Sequence, residues 1–142
     1  MKPVILVRIA STLTLVHAVL HTIGGVFGKP APGLQEATVL VMKANQFPLM
    51  GNTRSFWDFY HGMGLGLSIS MTAEAIVLWQ LSALAKEGAR ELRPILATFA
   101  LGYLVLAVNS YEYFFFGPVV TEILIALCLV AAIVAAAPAR AA

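Results

Sequence analysis

Four long apolar stretches dominate the pattern of hydrophobic and polar positions along the chain. A bilayer core of roughly 30 Å is crossed by about 20 helical residues, and each stretch reaches that length without an internal proline. The pattern therefore predicts an all-α fold, a four-transmembrane-helix bundle that forms a single integral membrane domain over residues 1–142. The predicted spans are residues 3–27, 55–85, 94–113 and 118–137.

The segment between the first two spans, Gly28 to Arg54, is too long for a simple connection. Turn-forming residues lie at both of its ends, whereas residues 34–46 contain no strong helix breaker and mix apolar with polar positions. This mixture predicts a short helix that lies on the membrane surface or caps the bundle. A lid over a pocket and a plain connection are both compatible with the same pattern.

The second span opens with the run SFWDFYHG, which places an acid and an imidazole three residues apart among aromatic residues. Ser55 followed by Asp58 resembles a capping box in which Asp replaces the usual Glu or Gln. The aromatic residues are typical of a membrane interface. Asp58 is therefore either the cap of this helix or a member of a site that includes His61.

Composition supports membrane insertion. Of the 142 residues 60% are hydrophobic and 11% are charged, against about 45–50% apolar and about 25% charged in a soluble domain. With a net charge of +2 and no Lys/Arg-rich run, the chain also lacks the signature of a nucleic-acid-binding protein.

The first apolar run exceeds the roughly 7–15 residues of a signal-peptide core, so we expect it to be retained. The single cysteine, Cys128, has no CxxC partner and is expected to be a small buried hydrophobe.

The positive charges divide between the two ends of the predicted spans. Under the positive-inside rule the larger group predicts that both termini are cytoplasmic, in the inner membrane if the protein is bacterial. That group comprises Lys2, Arg8, Lys86, Arg90, Arg93 and Arg140, and the opposite group Lys29, Lys43 and Arg54.

Several polar residues fall towards the outer end of the bundle, and every span contributes at least one of them. Ionisable groups in lipid cost about 2.5–3.5 kcal/mol each on insertion scales and usually face a cavity or one another. We therefore expect a polar pocket that binds an apolar or lipid-like small molecule. Because an imidazole titrates near neutrality, the pocket could also carry out acid–base chemistry. The candidate catalytic residues are His61, Asp58 and His21, and the candidate ligand-binding residues are His17, Asn109, Glu122, Tyr113 and Glu74.

Other interpretations remain open for the same residues. His17 and His21, four apart on one helix face, could bind zinc or iron together with His61. Histidines of the first two spans could instead ligate a haem, held non-covalently because the chain has no CxxCH motif. In a non-catalytic accessory subunit, the polar residues would only lock helices together and bind a partner chain or a second copy. The sequence assigns no cofactor and does not decide whether the protein is an enzyme.

Glu74 stands apart from the other polar residues. At 100° per residue it lies about 160° around the second span from Asp58 and about 140° from His61. One narrow pocket does not easily hold both Glu74 and the pair Asp58 and His61. The sequence therefore predicts either a separate partner for Glu74, such as Ser11 or a tyrosine such as Tyr103, or a second span that the bundle wraps on two sides. Glu74 is also a candidate for a subunit contact.

Two stretches carry a resemblance to known proteins. They are the first span, with RIA at residues 8–10, His17 and the run HTIGG at 21–25, and the run RSFWDFYHG at 54–62. Together they resemble a set of small, uncharacterised bacterial four-helix integral membrane proteins. The resemblance covers most of the chain and implies a four-span bundle without an activity. In design the chain is also similar to the sterol-isomerase and sigma-receptor-like four-helix proteins, but no motif matches theirs residue by residue.

Overall fold

The protein is described from a computed structural model that covers residues 2–136, with backbone only for residues 87 and 88. Four helices in this range are long and apolar enough to cross a membrane: Pro3–Val26, Phe56–Lys86, Arg93–Tyr113 and Phe116–Ala135. This finding confirms the four long apolar helices predicted from the sequence. Ala137 and Arg140, which entered the predicted last span and the charge asymmetry, lie outside the described residues.

The chain divides into two compact units. Unit 1 comprises the residues up to His17 and those from Met71 onward, and unit 2 comprises Ala18–Ser70. In chain order the elements are α1 (Pro3–Leu20), a π-helical turn (His21–Val26), α2 (Leu34–Ala44), β1 (Gln46–Leu49), β2 (Asn52–Ser55), α3 (Phe56–Gly88), α4 (Arg93–Tyr113) and α5 (Phe116–Ala135).

Small side chains line the helix contacts inside unit 1. Ala10 and Thr14 of α1, and Ala75 and Ser82 of α3, are all buried. Small residues let helix backbones approach closely, which matters in lipid because apolar surface alone does not drive helices together there. Ser11 Oγ accordingly donates a hydrogen bond to the Ala75 carbonyl oxygen at 2.7 Å.

Helices α4 and α5 complete unit 1. Pro94 lies in the first turn of α4, as predicted, where its missing N–H would have no helical partner. Only Phe114 and Phe115 separate the end of α4 from the start of α5, so the two helices run antiparallel. The largest fully buried apolar side chains of this unit are Leu78, Leu96, Ile125, Leu129 and Val7. Cys128 is half-buried and packs against this core as a free thiol.

Unit 2 contains a β-hairpin that the sequence pattern did not indicate. Strands β1 and β2 are antiparallel, and Leu49 pairs with Asn52 across a two-residue turn. Met50 and Gly51 have φ angles of 47° and 81°, which match the type I′ turn that suits the twist of a hairpin. Pro48 faces Thr53, one position beyond the closing pair, where an antiparallel ladder forms no hydrogen bond and the absent N–H is harmless.

Met50 is therefore an unfavourable residue at its position, because only Gly and Asn readily adopt a positive φ. The Met50 side chain is 96% exposed and loses no packing when replaced. We expect Met50→Asn to stabilise the hairpin by roughly 0.5–1 kcal/mol, part of the ~1–2 kcal/mol that this conformation costs other residues. Slower hydrogen exchange of the Leu49 and Asn52 amides would report the gain. Met50→Leu is the control and should change nothing, so equal exchange in the two variants would contradict the turn assignment.

Helix α1 does not continue regularly to residue 27 as the apolar pattern predicted. It is an α-helix to Leu20 and then widens into a π-helical turn, in which the Phe27 N–H donates to the Thr22 carbonyl oxygen at 3.0 Å. Gly28 follows immediately. A Cβ on Gly28 would overlap the carbonyl oxygen of Gly24, so the chain can leave the π turn along this path only with glycine at residue 28.

Candidate functional site

A polar seam joins the last part of the first span to the first half of α3 inside unit 2. His21 Nδ1 lies 3.0 Å from Ser68 Oγ, and Thr22 Oγ1 lies 2.8 Å from the same oxygen. Further along, a Cβ on Gly64 would come within 3.2 Å of Val26 Cγ2. The absence of a side chain at Gly64 thus lets the two backbones approach, as small residues do between membrane helices.

His61 lies on the same seam with aromatic neighbours. Its ring is nearly parallel to Trp57, with centroids 5.7 Å apart, and meets the Phe27 ring edge-to-face at 5.7 Å. Trp57 and His61 are four residues apart on α3 and therefore share a face. His61 Nδ1 is buried and, within the described residues, has no hydrogen-bond partner. We call Phe27, Trp57 and His61 the His61 site.

His21 and His61 occupy different levels of the seam. Ser68, the partner of His21, is seven residues after His61, which places both on one face of α3 and separates them by about 10 Å along the helix axis. Gly64 and Val26 lie between them. The structure therefore brings two of the predicted histidines onto one seam, two helical turns apart. The third, His17, is half-buried and belongs to unit 1.

The preceding helix and hairpin both pack against the first turns of α3. Lys43 Nζ of α2 lies 4.9 Å from the centroid of the Trp57 ring, a cation–π distance. Phe47 of β1 packs against Phe56 and Phe59, with ring centroids 5.2 Å and 5.9 Å apart. Lys43 thus contacts the Trp57 ring of the His61 site, whereas the Phe47 cluster packs on another face of α3.

Asp58 has a different role from the one expected of a site residue. The Ser55 N–H and Oγ–H both donate to Asp58 Oδ2, at 2.7 Å and 2.9 Å, and the Asp58 N–H donates to Ser55 Oγ at 3.2 Å. These reciprocal bonds form the predicted capping box, which is confirmed. The Asp58 carboxylate therefore serves to start α3, and the residue is exposed.

Glu74 has the partner that the sequence predicted. Its Oε2 lies 2.8 Å from the Tyr103 hydroxyl, which in turn lies 3.1 Å from Thr14 Oγ1. Thr14 Oγ1 also lies 3.0 Å from the Ala10 carbonyl oxygen. The chain of contacts joins α3, α4 and α1 within unit 1. Ser11, the other predicted partner, bonds to the α3 backbone instead.

The number of available hydrogens decides how many of these contacts can be hydrogen bonds at the same time. Three contacts need three hydrogens, but two hydroxyl groups supply only two. With Glu74 ionised, Tyr103 donates to its carboxylate, and Thr14 can then bond either to Tyr103 or to Ala10. With a proton on Oε2, Glu74 donates to Tyr103, Tyr103 to Thr14, and Thr14 to Ala10. All three contacts are hydrogen bonds at once only when Glu74 carries that proton.

Glu122 forms a second buried contact in unit 1. Its side chain is 5% exposed, its Oε1 accepts a hydrogen bond from Ser110 Oγ at 3.0 Å, and its Oε2 has no partner within the described residues. The remaining predicted residues of α4 do not join it, because Asn109 and Tyr113 are exposed. Unit 1 thus contains the Glu74 contacts and the Glu122 contact, and unit 2 contains the seam with His21 and His61.

The sequence pattern did not indicate the hydroxyl groups and one aromatic ring that complete these groups. Thr14, Ser68 and Phe27 are not among the predicted site residues. Ser68 could have been found from its spacing, because a residue seven positions after His61 returns to the same helix face. The contact of Phe27 with His61 depends on the π turn, which no spacing rule reveals.

A metal centre needs several ligands close together. Within residues 2–136 no group of three or more His, Cys, Asp or Glu side chains lies close enough to hold a metal ion. The predicted set of His17, His21 and His61 is therefore not gathered as a three-ligand site. Comparison with protein-family models, curated proteins and solved structures finds no match to this chain.

Proposed function

We propose that this integral membrane protein binds a lipid-like small molecule at the His61 site. The observation that carries the proposal is the buried Nδ1 atom of His61, which lacks a hydrogen-bond partner within the described residues. Leaving a buried polar group unsatisfied costs about 1–3 kcal/mol. A bound molecule that hydrogen-bonds to this nitrogen would recover that cost.

The surroundings define the chemistry of the ligand. Trp57 and Phe27 present aromatic surface to the imidazole, and such surface favours an apolar body. The Lys43 ammonium group above Trp57 favours a polar or anionic head. A molecule with an apolar tail and a hydrogen-bonding head satisfies all of these groups. His61 is the one imidazole of this site, so acid–base chemistry on the bound head group is the reaction that the site would support.

The membrane placement is part of the proposal. Both termini lie in the cytoplasm of a bacterial cell, and α2 and the hairpin lie on the outer surface of the inner membrane. The charge asymmetry of the sequence supports this orientation. The α2 helix has no buried residue, and its apolar residues Leu34 and Val41, seven apart on one face, are 84% and 60% exposed. An exposed apolar face of this kind suits a helix that lies on lipid.

A pair of matched substitutions tests the site. His61→Phe keeps an aromatic ring and removes the unpartnered nitrogen, so after exhaustive detergent exchange it should raise the free energy of unfolding by about 1 kcal/mol. His21→Phe removes a nitrogen that is bonded to Ser68 and should lower the free energy of unfolding by about 1 kcal/mol. Thermal unfolding in mild detergent measures both changes.

Ligand content is measured on the same proteins by lipid mass spectrometry of gently purified samples. We expect a bound lipid-like molecule in the wild type and in the capping variant Asp58→Asn, and its loss in His61→Phe. Equal lipid content in wild type and His61→Phe, together with destabilisation by both His→Phe variants, would show a packing role and refute the site. A Soret band or a stoichiometric metal that depends on the histidines would favour the cofactor alternative.

A further inference from the structure

A second site of different chemistry lies in unit 1. An open groove of about 470 Å³ is lined by Ile5, Arg8, Ile9, Thr12, Leu13 and Trp79. The only charged side chain in this lining is that of Arg8. We infer that this groove binds an anionic phospholipid, with the phosphate on the Arg8 guanidinium and an acyl chain along the apolar wall.

The guanidinium is held in place on one edge and one face. Its Nε donates to Ser82 Oγ at 3.4 Å, and its Cζ lies 5.1 Å from the centroid of the Trp79 ring. Ser82 Oγ in turn donates to the Trp79 carbonyl oxygen at 2.6 Å, so its lone pairs face Arg8. These contacts fix the plane of the guanidinium before any ligand arrives.

The other edge of the guanidinium remains open. Arg8 has five N–H donors, and the contacts with Ser82 and Trp79 use only the Nε–H as a hydrogen-bond donor. Within the described part of the chain no carboxylate pairs with Arg8. The two terminal nitrogens form the fork that binds a phosphate with two parallel hydrogen bonds. A phosphate would therefore supply the counter-charge that the protein does not.

The depth of the groove matches a lipid head group. Arg8 is the sixth residue of α1, so it lies about 7–8 Å from the start of the helix. Trp79 is 52% exposed and has the interfacial character of membrane tryptophans. An unpaired charge in lipid is costly, whereas at this depth the cation can reach a phosphate while Ile5 and Ile9 contact hydrocarbon.

Fluorescence of Trp79 tests the inference directly. The chain has two tryptophans, so Trp57→Phe leaves Trp79 as the sole indole. This variant is placed in phosphatidylcholine nanodiscs that contain a small fraction of either phosphatidylglycerol or phosphatidylcholine with brominated acyl chains, which quench nearby indoles. We expect brominated phosphatidylglycerol to give half-maximal quenching at a roughly fivefold lower mole fraction, which corresponds to about 1 kcal/mol.

Matched variants separate a built site from general attraction to a cationic protein. Arg8→Gln should abolish the preference, and Arg8→Lys, which keeps the charge without the fork, should reduce it. Arg93→Gln makes the same change of net charge outside the groove and should leave the preference intact. Equal quenching by the two lipids, or equal effects of Arg8→Gln and Arg93→Gln, would overturn the inference. If Arg8→Gln does not fold, an unchanged preference in Arg8→Lys would overturn it as well.

Discussion

Replacement of Tyr103 by Phe is expected to lower the free energy of unfolding by about 2 kcal/mol. The hydroxyl lies between Glu74 and Thr14 in the buried interior of unit 1. Its loss removes the hydrogen-bond partner of the half-buried Glu74 carboxyl group and a contact of the buried Thr14 hydroxyl, and a buried polar group left unsatisfied costs about 1–3 kcal/mol. Thermal or denaturant unfolding in mild detergent measures the change.

Tyr111→Phe is the matched control. Tyr111 lies on the same helix but is 73% exposed, so its hydroxyl can bond to water or to lipid head groups. Surface substitutions of this kind usually change stability by less than about 0.5 kcal/mol. A similar loss in both variants would show that the contact with Glu74 contributes nothing specific.

Glu74→Gln tests how many of the contacts that join Glu74, Tyr103 and Thr14 are hydrogen bonds. The Gln amide can donate to Tyr103 as a protonated Glu74 would, so all three hydrogen bonds can form and the expected change in stability is under about 0.5 kcal/mol. The infrared difference spectrum between the wild type and Glu74→Gln distinguishes the two arrangements, because the complete chain of hydrogen bonds would contribute the carbonyl stretch of a carboxylic acid. A difference spectrum with only carboxylate bands would show that Glu74 is ionised and that the chain is incomplete.

Gly28→Ala is the second substitution with a large expected effect, a loss of about 3 kcal/mol. The new Cβ would overlap the Gly24 carbonyl oxygen. Because this obstacle is a backbone atom and not the end of a flexible side chain, the π turn itself would have to move. Phe27 precedes Gly28 and contacts His61, so the variant should also lose the lipid-like ligand of the His61 site. Unfolding in detergent and lipid mass spectrometry measure the two effects.

Gly24→Ala is the opposite case, four residues earlier in the same turn. No atom lies within 4 Å of a Cβ at Gly24, and Ala in place of Gly inside a helix gains about 0.5–1 kcal/mol. The two Gly→Ala variants should therefore change stability in opposite directions. Destabilisation of similar size in both would mean that the π turn is not the conformation in the membrane.

The long helices could be predicted because their signal is carried by many residues at once. Each apolar stretch has enough length and hydropathy to identify it without knowledge of its neighbours. The capping box could also be predicted, because Ser55 and Asp58 interact locally and at a fixed spacing. Glu74 required one further step, since its angular position on α3 excluded the face of His61 and left Tyr103 as one of several possible partners.

The hairpin and the π turn could not be predicted, for opposite reasons. The turn of the hairpin lacks the residue that usually identifies it, because Met50 adopts a positive φ angle that is typical of Asn or Gly. In addition, Pro48 argues against a strand. The π turn has no residue signal at all, since HTIGGV is compatible with a regular helix. Its formation depends on how the first span packs beside α3, where Val26 lies close to Gly64.

The π turn also lets the first span contain one residue more than a regular helix of the same number of turns. A π turn holds its chain with bonds five residues apart, whereas a regular helix uses four. Removal of one residue from 21–26 would let the span become a regular helix and would leave the residues after the turn near their present angular positions, because the π turn takes up that one residue. Val26 and Phe27 would then still face Gly64 and His61, whereas the same deletion from α1 would rotate them by about 100°. Among natural homologues, a one-residue gap in this segment would therefore be compatible with the same neighbours for the imidazole, and a gap in α1 would not.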